Sequence, residues 1–134
     1  MRPVLVDSNV ILDVTQADPV WADWSALAIE SAGRSATLVI NPVIYAEVSI
    51  GYDNVEDLQL ALPTMLYRLE PLPYDAAILA GKAFLLYQRR GGKPGTPLAD
   101  FYIGAHAAVA GYRLLTRDPT RYREYYPAVE LICP

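Results

Sequence analysis

The chain is punctuated by short apolar runs, and these constrain its fold more than any other feature. Val4-Leu5-Val6 and Thr37-Leu38-Val39-Ile40 are the clearest. A run this short and this apolar reads as a strand buried on both faces of a parallel sheet. Tyr67 to Leu69, Tyr112 to Thr116 and Val129 to Ile132 repeat the pattern less purely. Between them lie segments of helical length. Strands alternating with helices predict an α/β fold with a mainly parallel sheet. The 134 residues suit a single domain, 1–134, around one core. In such sheets ligands bind at the carboxyl ends of the strands. Whatever follows each apolar run is therefore the place to look for chemistry.

The segments between the strands carry their own punctuation. Val10 to Val14 reads as a short helix, with Ser8 or Asn9 available as its cap, and Asp7 is a competing cap candidate. Trp21 to Ala32 shows helical spacing, with Gly33 as a natural stop. Asn41-Pro42 pairs a favoured N-cap with a favoured first helical residue and predicts a helix from Pro42 to about Gly51. Asn54 predicts a further helix from Val55 to about Leu66, kinked or ended by Pro63. Asp75 opens a long helix to about Arg90, and Gly91 to Gly95 reads as a mobile basic loop. Thr96-Pro97 repeats the cap-then-proline device ahead of a helix to about Ala110, and Asp118-Pro119 repeats it before a short helical turn through Tyr122. His106, the single histidine, reads as a core or boundary residue.

Charge is unevenly distributed. Residues 1–81 hold eleven acids against three bases, whereas residues 82–123 hold eight bases against two acids, Asp100 and Asp118. An overall charge of −4 therefore does not exclude a polyanionic partner, provided the bases share a face. No apolar run reaches the roughly 18 residues of a membrane span, and the first residues lack a signal peptide's apolar stretch. Cys133 is the single cysteine, which excludes an internal disulfide and fits a reducing, cytoplasmic setting.

Four acids stand out because each is isolated among apolar neighbours near a predicted strand end. Asp7 follows the first strand, Glu47 lies in the helix after the second, Asp100 opens the helix before the fourth, and Asp118 follows the fourth. Each has a plainer account. Asp7 and Asp118 suit helix caps, and Asp100 suits the dipole at a helix start. Glu47, the lone charge of an apolar helix, needs a base, a metal or a cleft. If the first and fourth strands are neighbours, all four acids face one cleft. Clustered carboxylates raise one another's pKa or hold a cation. Oxygen ligands without histidine or cysteine suit Mg²⁺ or Mn²⁺. Such ions serve phosphoryl chemistry, and a basic rim would add affinity for a nucleic acid.

The pattern Val6-Asp7-Ser8-Asn9, Glu47 in an apolar helix, Leu98-Ala99-Asp100 and Leu115-Thr116-Arg117-Asp118 resembles the PIN domain family, and within it the VapC-type toxin ribonucleases. The resemblance covers essentially the whole chain. It implies a three-layer α/β/α sandwich with a five-stranded parallel sheet ordered 3-2-1-4-5, so that strands one and four adjoin. It implies catalytic roles for Asp7, Glu47, Asp100 and Asp118, with Mg²⁺ (or Mn²⁺) held chiefly by Asp7, Asp100 and Asp118. Ser8, Asn9 and Thr116 match the family's small polar positions beside the first and last acids, though strand-end and capping roles also account for them. Arg89, Arg90, Lys93, Arg117 and Arg121 are the candidates for RNA phosphate contacts. The implied partners are an RNA substrate, a cognate antitoxin protein and a second copy in a homodimer.

Two other classes compete. A non-catalytic RNA-binding or protein-interaction module would keep the acids without turnover. A phosphatase or phospho-acceptor domain would want an acid two residues after Asp7, where Asn9 stands, or an acid pair ending strand one and an acceptor after strand three.

Overall fold

A computed structural model describes residues 1–93 and 98–134. The Thr96-Pro97 cap and the Pro94-Gly95 part of the basic loop lie outside the described residues. The chain runs β1 (Val4–Val6), α1 (Ser8–Thr15), α2 (Ala22–Ser35), β2 (Leu38–Ile40), α3 (Pro42–Ser49), α4 (Val55–Ala61), β3 (Tyr67–Leu69), α5 (Tyr74–Arg89), α6 (Leu98–Ala110), β4 (Arg113–Leu115), α7 (Thr120–Tyr125) and β5 (Leu131–Ile132). All strands pair in parallel, in the order β3-β2-β1-β4-β5. The order reverses at β1. The chain winds from β1 through β2 to β3, then crosses back to β4 and on to β5, and right-handed crossovers running in these two directions send their helices to opposite faces, which gives the three-layer arrangement. The reversal also opens a crevice at the carboxyl ends of β1 and β4.

The sheet's centre is dry. Val4, Leu5 and Val6 of β1, all of β2, and Leu114 and Leu115 of β4 are buried, and Phe101 and Ile103 of α6 pack among them. Each such aliphatic or aromatic side chain contributes about 1.5–3 kcal/mol by burial. Asn41 and Asn54 cap as their sequence contexts predict, each accepting from a backbone amide three residues on (Ile44 at 3.0 Å, Asp57 at 2.8 Å). Because the Asn41 oxygen is engaged there, its amide nitrogen donates to His106 Nδ1 at 3.0 Å. The imidazole proton then sits on Nε2, which is buried without a hydrogen-bond partner among the described residues. Asn41 thus ties the start of α3 to α6.

Several local expectations are corrected. Helix α1 begins at Ser8, so Asp7 occupies the cap position and neither Ser8 nor Asn9 does. The Asp7 side chain makes no cap hydrogen bond. Gly33 lies inside α2, which continues to Ser35, and packs beside Leu38. Pro63 ends α4 early, leaving it closed at Ala61. Pro119, not Asp118, stands at the cap position of α7.

Helix α7 reaches the site only because α6 lets it in. A Cβ at Gly104 would collide with the Tyr126 ring and stand 3.0 Å from that of Tyr122. The Tyr126 hydroxyl donates to the Phe101 carbonyl at 2.7 Å, fixing the contact. Gly104→Ala is therefore expected to destabilise the fold by about 1–3 kcal/mol through overpacking. Urea unfolding measures this directly, and an unchanged midpoint would refute the close α6–α7 packing.

Candidate active site

The β1–β4 ladder builds the site. Its last register pair is Val6 with Leu115, and the Asp7 amide continues it by donating to the Leu115 carbonyl at 2.9 Å. Asp7 and Thr116, which follow, emerge side by side at the crevice. The Thr116 hydroxyl donates to Asp7 Oδ2 at 2.8 Å, and the Tyr122 hydroxyl from α7 donates to the same oxygen at 2.8 Å. Asp7 is only 2 % exposed.

The other acids arrive from three directions. Ser8 donates to Glu47 Oε1 at 2.8 Å and lies 3.5 Å from Asp7 Oδ1, so α3 is latched to the end of β1. Asp100, in the first turn of α6, pairs with Arg121 at 2.7 Å. The Arg121 guanidinium lies over the rings of Tyr87 and Phe101. Asp118 follows β4, and its amide donates to the Thr116 hydroxyl oxygen at 3.2 Å. Asn9 links the same turn to α1 through the Arg117 amide at 3.2 Å. Asp7, Asp100 and Asp118 line one cavity of about 400 Å³ together with Asn9, Tyr87, Arg121, Tyr122 and Tyr125. Glu47 is not among the lining residues and meets the cluster through Ser8.

Burial and mutual repulsion show in the acidities. Burial pushes the Asp7 carboxyl up to about 6, with repulsion from Asp100 and Glu47 adding and the Tyr122 and Thr116 donors opposing. Burial also raises Glu47, with Ser8 opposing and Asp100 adding. Asp100 is raised by burial despite Arg121, and Asp118 adds to the rise. The Tyr122 phenol, buried beside Asp7, is pushed well above its ordinary value and stays a donor.

The basic candidates separate. Arg121 stands in the cavity, and Arg90 at its rim pairs with Glu124 and lies over Tyr125. Arg89 and Lys93 are exposed at and just beyond the end of α5. Arg117 turns away from the cavity. Its Nε donates at 2.8 Å to Asp13, a buried acid of α1 that also accepts from Ser25, and its guanidinium lies over Trp21. That pair ties the β4 turn to α1 and α2.

Tyr122 was not among the residues singled out from the sequence. Its sequence signal was weak, since it closes the short turn expected after Asp118-Pro119 and nothing local directs it at Asp7. Ser8 as the latch on Glu47 carried no sequence signal, because the two lie 39 positions apart.

Among the described residues no three His, Cys, Asp or Glu side chains form a ready-made metal cage. Mg²⁺ does not require one, since it is commonly held by one or two carboxylates with waters and substrate phosphates. The oxygen-only donor set and the crowding of partly desolvated carboxyls fit such an ion, with the Arg121 guanidinium holding the compensating charge at Asp100.

A family profile described as PIN domain matches residues 4–126. No curated protein matches the chain. Among solved structures, the fold is similar to a chain of VapBC2 from Rickettsia felis bound to a promoter DNA fragment (TM-score 0.73, 17% identity, 98% of each chain covered). It is similar to a chain of VapBC-1 from nontypeable Haemophilus influenzae (TM-score 0.72, 18% identity, 98% of this chain and 97% of that). A chain of FitAcB from Neisseria gonorrhoeae also matches (TM-score 0.68, 18% identity, 96% of each). At these identities the likeness is one of fold.

The raised Asp7 pKa has a stability consequence. Between its ordinary value of 3.8 and about 6, Asp7 binds more proton folded than unfolded. Its contribution is full below the lower value and is lost as pH rises through the upper, by about 3 kcal/mol. Asp7→Asn keeps an oxygen for Tyr122 and Thr116 without the charge. It is expected to raise the melting temperature by several degrees at pH 7.5 in chelator, and to leave it little changed at pH 4. Thermal melts at both pH values check this, and a variant less stable than wild type at pH 7.5 would contradict it.

Proposed function

Because the chain belongs to the PIN domain family, we propose that it is a Mg²⁺- or Mn²⁺-dependent endoribonuclease and the toxin of a type II toxin–antitoxin pair. The observation that carries this reading is the meeting of Asp7, Asp100 and Asp118 around one cavity at the point where the sheet order reverses. Asp7, Asp100 and Asp118 are the proposed metal ligands. A bound ion would stabilise the oxygens entering and leaving phosphorus and lower the pKa of the attacking water.

The chain's own groups have distinct tasks. Ser8 fixes Glu47 Oε1, which leaves the other carboxylate oxygen to complete the ion's surroundings or take the proton of the attacking water. Burial raises its pKa, which makes its carboxylate a better proton acceptor than an ordinary surface glutamate. Thr116 and Asn9 hold the β4 turn against α1, so that Asp7 and Asp118 keep their spacing. Arg121 holds Asp100 in the free chain, and its guanidinium suits an RNA phosphate. Arg90 at the rim extends the cationic track, with Arg89 and Lys93 as outlying contributors.

The partner we propose is a small antitoxin, a reading supported by the likeness to chains of VapBC and FitAcB assemblies. Exposed Tyr74, Ile78 and Leu85 on α5 suit self-association as a homodimer. Among the described residues no helix is long and apolar enough to cross a membrane, and a cytoplasmic location is part of the proposal.

One observation favours a second reading. Asp100 is already neutralised by Arg121, as in a non-catalytic module that binds RNA or protein through the PIN fold. Cleavage of a fluorescently labelled RNA separates the two. The nuclease is expected to cut with Mg²⁺ or Mn²⁺ and to stop in chelator. Removing an ion ligand forfeits several kcal/mol of transition-state stabilisation, so Asp7→Asn and Asp100→Asn should each lower the rate about a thousandfold. RNA binding without products, indifferent to chelator, would replace this reading with the binding module.

A further inference from the structure

Resting on the nuclease reading, we propose that Tyr122 is a positioning residue that, with Thr116, clamps one oxygen of Asp7 and reserves the other for the divalent ion. Both hydroxyls donate to Oδ2, each at 2.8 Å. A carboxylate oxygen has two lone pairs in its plane, so two such donors saturate it. Among the described residues Oδ1 has only the Ser8 hydroxyl, at 3.5 Å, and that hydroxyl is committed to Glu47 at 2.8 Å. The asymmetry is large. One oxygen is fully used inside the protein, and the other keeps a single long contact among the described residues.

The clamp comes from two independent elements. Thr116 is delivered by the strand that pairs with β1, and Tyr122 by α7, whose approach depends on Gly104. A carboxylate held by one donor swivels about its terminal torsion, which is broad for Asp. Two donors from separate directions fix the plane. Tyr122 is also suited to be a permanent donor. It is buried, and burial beside three acids keeps its phenol protonated. A phenylalanine at this position would fill the same space and leave Asp7 with Thr116 alone.

The test compares wild type, Tyr122→Phe and Thr116→Val as full chains, by Mn²⁺ titration followed calorimetrically and by electron paramagnetic resonance of free Mn²⁺. Groups that orient metal ligands typically contribute 10–100-fold to metal affinity. Tyr122→Phe is expected to weaken Mn²⁺ binding about 10-fold or more, and to lower kcat with KM for RNA nearly unchanged. Circular dichroism should show an intact fold. A merely structural tyrosine would lower the melting temperature and leave Mn²⁺ affinity alone, and that result overturns the proposal. If Tyr122→Phe does not fold, Thr116→Val removes the other donor to the same oxygen, and unchanged Mn²⁺ affinity there overturns the clamp equally. Wild type that binds no Mn²⁺ and cuts no RNA overturns the nuclease reading and this inference together. Wild type that binds and cuts, with variants that bind as well as it does, overturns this inference only.

Discussion

The pairing of β1 with β4 is the constraint on which the rest of the molecule depends. Its register sets Val6 against Leu115 and carries Asp7 to Thr116, residues 109 positions apart in the chain. Side chains alternate between faces along a strand, so a slip of one residue would exchange the faces of Val4, Leu5 and Val6 and misfit a core packed closely on both sides. Because β1 and its partners are buried on both faces, such a slip is costly, and the burial that stabilises the sheet also fixes the acids. The site is therefore not separately folded. It is where the core's register ends.

The elements readable from sequence are those whose cause is local. Asn41-Pro42 and Asn54 announce helix starts because a cap's hydrogen bond closes within three residues. The apolar runs announce strands because burial on both faces leaves no polar position. The misjudged details have distant causes. Gly33 does not stop α2, which runs on to Ser35 and packs beside Leu38 of the next strand. Arg117 looks like a surface base but is drawn to Asp13, more than a hundred positions away. Tyr122 looks like the end of a helical turn until α6 and β1 are seen on either side of it. The adjacency of the first and fourth strands came from family resemblance, since no local pattern encodes which strands pair.

Two arginines near the β4 turn illustrate how context divides identical side chains. Arg117 meets an acid that is 4 % exposed and becomes part of the scaffold, joining the β4 turn to α1. Arg121, four residues later and about equally exposed, meets an acid that remains a third exposed at the cavity wall. Guanidinium groups tolerate both fates because they stay charged under all ordinary conditions and stack on aromatic faces. Arg121 thus balances Asp100, and the folded chain does not need an ion at that one carboxylate.

The amide of Asn41 has a consequence at the level of genetics. One side chain caps the helix that carries Glu47 and grips His106 of the helix that carries Asp100. Neither Asn41 nor His106 lines the cavity of the clustered acids. A selection for variants that have lost the protein's effect would nonetheless return these two positions among the acids. Read as a map, such a selection would draw the functional site larger than the cavity, because it would include the bolt that sets two of its walls.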